Sequence, residues 1–138
     1  LAAAALLLCF VAGRLTSSGR EFNPAPSGRR WMVLLYEDAA FQGPAPGREQ
    51  EYLEEYRTWA AGLRSRHQLV DAAELLPTAA HLDPPGMSPT DGSGKCAGSL
   101  TGYFIITAPT IEEARTITAS IPHLTHQGRV AIQPLGAS

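Results

Sequence analysis

Apolar and polar positions along this chain switch between two periods, and the switches mark out six elements. Residues 31–36, Trp-Met-Val-Leu-Leu-Tyr, form a continuous apolar run of strand length. Such a run predicts a strand covered on at least one face. Residues 48–66 change to helical spacing, with Tyr52, Leu53, Tyr56, Trp59, Ala60 and Leu63 three and four apart, which is one face of a 3.6-residue helix. Glu49, Glu51, Glu54 and Glu55 lie early in it and Arg64 and Arg66 late, matching the helix dipole at both ends. Residues 69–75 read as a second strand and residues 100–107 as a third, with apolar side chains on both faces over 102–106. Pro109 and Thr110 open a second helix. Thr110 is placed as its N-cap, with Glu113 three residues on, as a capping box requires. Ile111, Ala114, Ile117 and Thr118 give its inward face, and it stops before Pro122. Residues 130–134 form the last strand, after a tight connection through Pro122, His123 and Leu124.

The order strand, helix, strand, strand, helix, strand is the split βαβ pattern of an α+β, ferredoxin-like βαββαβ fold. Two helices on one face of a four-stranded antiparallel sheet leave the other face uncovered. An apolar uncovered face needs a partner, and a second copy of the chain is the expected one. A homodimer is therefore expected.

The rest of the chain is loop or leader by composition. Residues 1–12 are an unbroken apolar run, too short to span a bilayer as a helix. With Val11, Ala12 and Gly13 behind it, the run suits the core of a secretory signal peptide. We assign residues 1–20 to a signal peptide or N-terminal anchor, 21–30 to a linker and 31–138 to one domain. The expected location is exported, periplasmic or extracellular, with no membrane span in the mature domain. Pro44, Pro46 and flanking glycines mark one loop, and residues 76–98, with Pro77, Pro84, Pro85 and Pro89, mark another.

Composition narrows the function classes. A net charge of −2, with Lys95 the only lysine and ten scattered arginines, gives no nucleic-acid footprint. Cys9 falls in the leader and Cys96 in a Gly/Ser-rich loop, so no disulfide framework is built. Gly92-Ser93-Gly94-Lys95 lacks the spacing and the strand–loop–helix setting of a phosphate loop. His123 and His126 are three apart, but a metal site needs three or four ligands. No metal and no cofactor are expected.

The residues resemble the YCII-related family, also called DGPF-domain proteins. The resemblance rests on residues 33–37, Tyr56, Arg57, Trp59, Ala60, Leu63, Leu69, Val70 and Leu75. It continues through Thr90-Asp91-Gly92, residues 102–106, Ala114, Pro122-His123-Leu124, Gly128 and Pro134. It implies a dimeric α+β barrel, each subunit with a cleft between sheet and helices. Two departures stand out. Ser93-Gly94 follows Asp91-Gly92 where the family motif has Pro-Phe. Tyr56 and Ile121 occupy the positions where better-studied relatives suggest a His–Asp pair.

His123 is the candidate catalytic residue, as a general base or ligand-binding imidazole. Its bland alternative is a structural histidine bonded to local backbone. Tyr36, Asp38, Tyr56, Trp59, Asp71, Tyr103 and His123 are the candidate ligand-pocket residues. Core packing and solvated strand ends account for the same types. The reading is an exported, homodimeric protein that binds a small organic ligand. The alternatives are a small enzyme doing acid/base or lytic chemistry on a small organic substrate, and a protein-interaction module.

Overall fold

The computed structural model describes residues 28–76, 85 and 98–136. Strands β1 (Arg29–Glu37), β2 (Leu69–Glu74), β3 (Ser99–Ala108) and β4 (Arg129–Pro134) alternate with helices α1 (Glu49–Ser65), α2 (Ile111–Thr118) and the single turn α3 (Pro122–Thr125). Residues 1–20, expected as a signal peptide or anchor, and Cys9, Cys96, Lys95 and Thr90-Asp91-Gly92 lie outside the described residues. β1 starts two residues before the expected boundary, because Arg29 and Arg30 pair with Ala108 and Thr107. α2 stops at Thr118, before Pro122 as expected, and Pro122 opens a further single turn, α3, where its fixed φ suits a first position.

The strands form one sheet in the order β2-β3-β1-β4, with every adjacent pair antiparallel. The arrangement is α+β and compatible with a ferredoxin-like fold. Among the described residues no helix is long and apolar enough to cross a membrane.

Period-2 alternation gives the sheet two unlike faces. Trp31, Val33 and Leu35 of β1 and Phe104, Ile106 and Ala108 of β3 are buried with Tyr52, Leu53, Tyr56, Ala60 and Leu63 of α1 and Ala114 of α2. Trp31 also donates its indole N–H to the Ala108 carbonyl at 3.0 Å. The other face carries Met32, Leu34 and Tyr36 opposite Ile105, Tyr103 and Leu100 on β3 and Gln133, Ala131 and Arg129 on β4. Met32, Leu34, Tyr36, Tyr103, Ile105 and Ala131 there are only half-buried. Both α1 and α2 spend their apolar sides on the first face.

The helix ends explain how the site is positioned. Thr110 Oγ1 accepts from the Glu113 amide at 3.2 Å, so the predicted N-cap of α2 forms. α1 ends with His67 in the left-handed region at φ 55. There the Gln68 amide bonds Leu63 O and the His67 amide bonds Arg64 O, both at 2.9 Å. These are the two bonds of a Schellman motif. α3 ends the same way. Gln127 takes φ 64, and the Gly128 amide reaches back to His123 O at 2.8 Å. That return lays Gly128 directly over His123 and leads straight into β4.

Candidate functional site

A linear hydrogen-bonded chain runs through the space between sheet and helices. His123 on α3 is 1% exposed. Its Nε2 lies 3.0 Å from the Tyr36 carbonyl oxygen, which can only accept, so Nε2 carries the proton and donates. Nδ1 is then bare, and the Tyr56 hydroxyl on α1 donates to it at 3.1 Å. Tyr56 in turn accepts from the Tyr52 hydroxyl at 3.2 Å. Every donor along Tyr52, Tyr56, His123 and the β1 backbone therefore points the same way. Tyr52 and Tyr56 are four apart on α1, the spacing that makes side chains neighbours on a helix.

The ring is also enclosed. Phe41, from the loop after β1, tilts against it with ring centroids 5.2 Å apart. Gly128 lies on it so closely that a Cβ there would come within 2.3 Å of the ring. Burial is the main cause that drives the His123 pKa below 6.5; the Tyr36 carbonyl works the other way, and nearby His126 adds to the lowering. Burial likewise pushes the Tyr56 phenol, and the Tyr52 phenol, above the usual tyrosine range. The assembly is neutral at pH 7. Both imidazole nitrogens are engaged, which leaves no lone pair free for a substrate proton.

A pH consequence follows. Just below pH 6.5 unfolded His123 takes up a proton that the folded ring refuses. The unfolded state then binds more protons, so this residue's contribution to stability falls as pH drops from 6.5 toward the folded value. Glu37, whose carboxyl is raised above 4.5 mainly by burial, acts with the opposite sign at lower pH. Long-range ¹H–¹⁵N correlation spectra should therefore find His123 as the neutral Nε2–H tautomer at pH 6.5. A ring already half-protonated there would contradict the assignment.

The remaining predicted residues separate. Trp59 stays on the helix side, edge-on to Phe104 with centroids 5.0 Å apart, its indole N–H donating to Ser120 Oγ at 3.0 Å. Asp71 and Tyr103 are on the opposite sheet face, where the Tyr103 hydroxyl donates to Asp71 Oδ2 at 3.0 Å; this bond raises the Tyr103 pKa. Tyr36 contributes its carbonyl to His123 while its residue pairs with Arg129 on that opposite face. Asp38, in the turn after β1, accepts from the Ala40 amide at 2.8 Å and pairs with Arg129 Nε at 2.8 Å. Tyr56 and His123 meet, with the Tyr36 backbone carbonyl on the ring's other side; the side chains of Tyr36, Asp38, Trp59, Asp71 and Tyr103 do not join them in one pocket.

Several participants escaped the sequence reading. Tyr52 was legible as an apolar position of α1, and its spacing from Tyr56 was the available signal. Phe41 and the His126 Nε2–Glu55 Oε2 contact at 2.6 Å carry no local signature. Neither does a cavity of about 290 Å³ between α2 and β4, lined by Ile111, Arg115, Thr118, Ala119, Val130 and Ile132. Comparison of the whole chain with family models and with curated proteins finds no match.

Proposed function

We propose that this chain is a YCII-related domain, a ferredoxin-like dimeric α+β barrel, and that it works as a homodimeric binder of a small organic molecule rather than as an acid–base enzyme. The observation that carries the dimer is the second sheet face, where Met32, Leu34, Ile105 and Ala131 sit half-buried beside Tyr36 and Tyr103. A contiguous apolar patch of this kind marks an interaction surface, and a twofold copy is the self-complementary solution. Binding is favoured over catalysis because His123 has both ring nitrogens committed to Tyr36 and Tyr56. The strand order β2-β3-β1-β4, with α1 crossing from β1 to β2 and α2 with α3 from β3 to β4, supports the fold assignment. Export rests on the apolar run of residues 1–12 and the small residues behind it alone.

Light scattering on a sizing column tests the dimer. The expected mass is twice the 14.7 kDa of one chain. Leu34→Asp should yield a folded monomer, because a charge buried at an apolar interface has no partner. A monomeric parent protein would overturn the dimer. A thermal-shift screen of small metabolites tests binding, since any ligand selective for the folded state raises the melting temperature by mass action.

A further inference from the structure

The two edges of the sheet are not alike. β2 and β4 end the order β2-β3-β1-β4, so each presents backbone groups that no neighbouring strand takes. On β2 the register shifts between Leu69 and Asp71 and leaves Val70 as an extra residue. A bulge of this kind bends a strand and spoils it as a template for pairing. β4 keeps one register against β1 from Arg129 to Pro134. Its middle residues, Val130, Ala131 and Ile132, carry no charge, no bulge and no proline.

Antiparallel pairing turns alternate residues toward the neighbouring strand, and one bond fixes which set does so here. The Leu135 amide donates to the Arg30 carbonyl at 3.0 Å, in the register that sets Gln133 against Met32 and Ala131 against Leu34. Gln133 and Ala131 therefore turn their backbone groups to β1, and Val130 and Ile132 turn theirs outward. Pro134 falls in the outward set, where a missing N–H costs no ladder bond. Among the described residues no group bonds the Val130 or Ile132 amide. A strand laid along β4 would meet the donor and acceptor of both at the ordinary ladder spacing.

The surroundings say which strand fits. Val130 and Ile132 line a groove of about 290 Å³ with Ile111 and Arg115 of α2, which gives room for alternate side chains of an added strand. No acidic side chain lines the groove; Arg115 does, exposed and without an ion pair among the described residues. Arg129 starts β4 and Arg30 meets its end. An acidic strand is complementary to this edge. A second copy is not: two β4 strands paired through Val130 and Ile132 would share an axis beside Arg115 and bring the two arginines together.

We propose that the free edge of β4 takes an extended acidic segment of a partner protein as an added strand, its backbone on Val130 and Ile132 and an acidic side chain on Arg115. Strand addition of this kind draws affinity from main-chain bonds and specificity from alternate side chains. It goes beyond the small-molecule reading, and it does not depend on the dimer, which uses the outer face of the sheet rather than this edge.

The test titrates the blocked peptide acetyl-Thr-Val-Thr-Glu-Thr-Val-Thr-amide into the full chain while amide NMR signals and hydrogen exchange are followed. In the chain alone the Val130 and Ile132 amides should exchange far faster than those of Ala131 and Gln133. Saturating peptide should slow them on the order of tenfold or more. A peptide with glutamine in place of its glutamate should bind about fivefold more weakly, and Arg115→Glu should weaken the parent peptide on the order of tenfold. N-methylation of the peptide's valines and glutamate, whose amides meet β4, should abolish binding; N-methylation of the inner threonines, whose amides face away, should leave it. Exchange at Val130 and Ile132 unchanged by peptide, equal loss with both methylated peptides, or affinity unchanged by Arg115→Glu would overturn the site. Val130 and Ile132 amides already protected in the chain alone would overturn the partner as well. Protection that rises with protein concentration would give the edge to a second copy, and protection independent of concentration would give it to the chain itself.

Discussion

Gly128→Ala should destabilise the domain by about 3 kcal/mol or more, lowering its melting temperature by on the order of 10 °C. Glycine-to-alanine changes at unstrained sites ordinarily stabilise slightly, by ~0.4–1 kcal/mol, through the unfolded chain, so the expected sign is reversed. The reason is space. An added Cβ would stand 2.3 Å from both Cδ2 and Nε2 of His123, well inside any tolerable contact. The ring cannot yield cheaply, because the Tyr36 carbonyl and the Tyr56 hydroxyl hold it at 3.0 and 3.1 Å and Phe41 lies against it. Nor can Gly128 retreat, since its amide closes the end of α3 on His123 O and the next residue, Arg129, begins β4. Thermal or urea unfolding measures the change. In a Gly128→Ala background, His123→Ala should cost much less than it does alone, because the clash disappears with the ring. A Gly128→Ala protein as stable as its parent would show that the ring is not where we place it.

His123→Leu should destabilise the domain by about 2–5 kcal/mol. Leucine fills much of the volume but pairs with nothing. The Tyr36 carbonyl and Tyr56 hydroxyl each lose their His123 partner, and an orphaned buried polar group costs ~1–3 kcal/mol. Tyr56 is 2% exposed, so water does not readily replace the ring. Tyr56→Phe breaks the chain one link earlier. It leaves His123 Nδ1 without its donor and the Tyr52 hydroxyl without its acceptor, at about 2 kcal/mol. The double variant should fall short of the sum by on the order of 1 kcal/mol, because the two changes remove one shared bond. Strict additivity would deny the Tyr56–His123 bond. The comparison also bears on function: a histidine kept for proton transfer is replaceable with little loss of stability, and a structural one is not.

How much of this was legible beforehand differs from element to element. The strand cores and α1 were readable because each is a strong local pattern: an apolar run at 31–36, helical spacing from Tyr52 to Leu63, and acids and bases at matching helix ends. Thr110 was readable as a cap because capping involves residues three apart. α3 was missed. A proline after a helix signals a stop, but the same proline starts a new turn when the chain can rotate between Ala119 and Pro122. The candidate pocket residues separate for a different reason. Tyr36, Asp71 and Tyr103 have plausible types, yet strand parity sends them to the face away from α1. Parity was visible in the sequence; which parity faces the helices depends on where the helices pack.

Sequence alone determined the kinds and order of the four strands and of α1 and α2, since backbone propensity, capping and hydrophobic period act over a few residues. The location of His123 as a buried, neutral link was decided only by the tertiary structure. Its partners, Tyr36 and Tyr56, lie 87 and 67 residues away in the chain, and nothing local specifies such a meeting. The same holds for Thr118. Whether a buried threonine hydroxyl is satisfied depends on what packs against it, and among the described residues its Oγ1 has no partner.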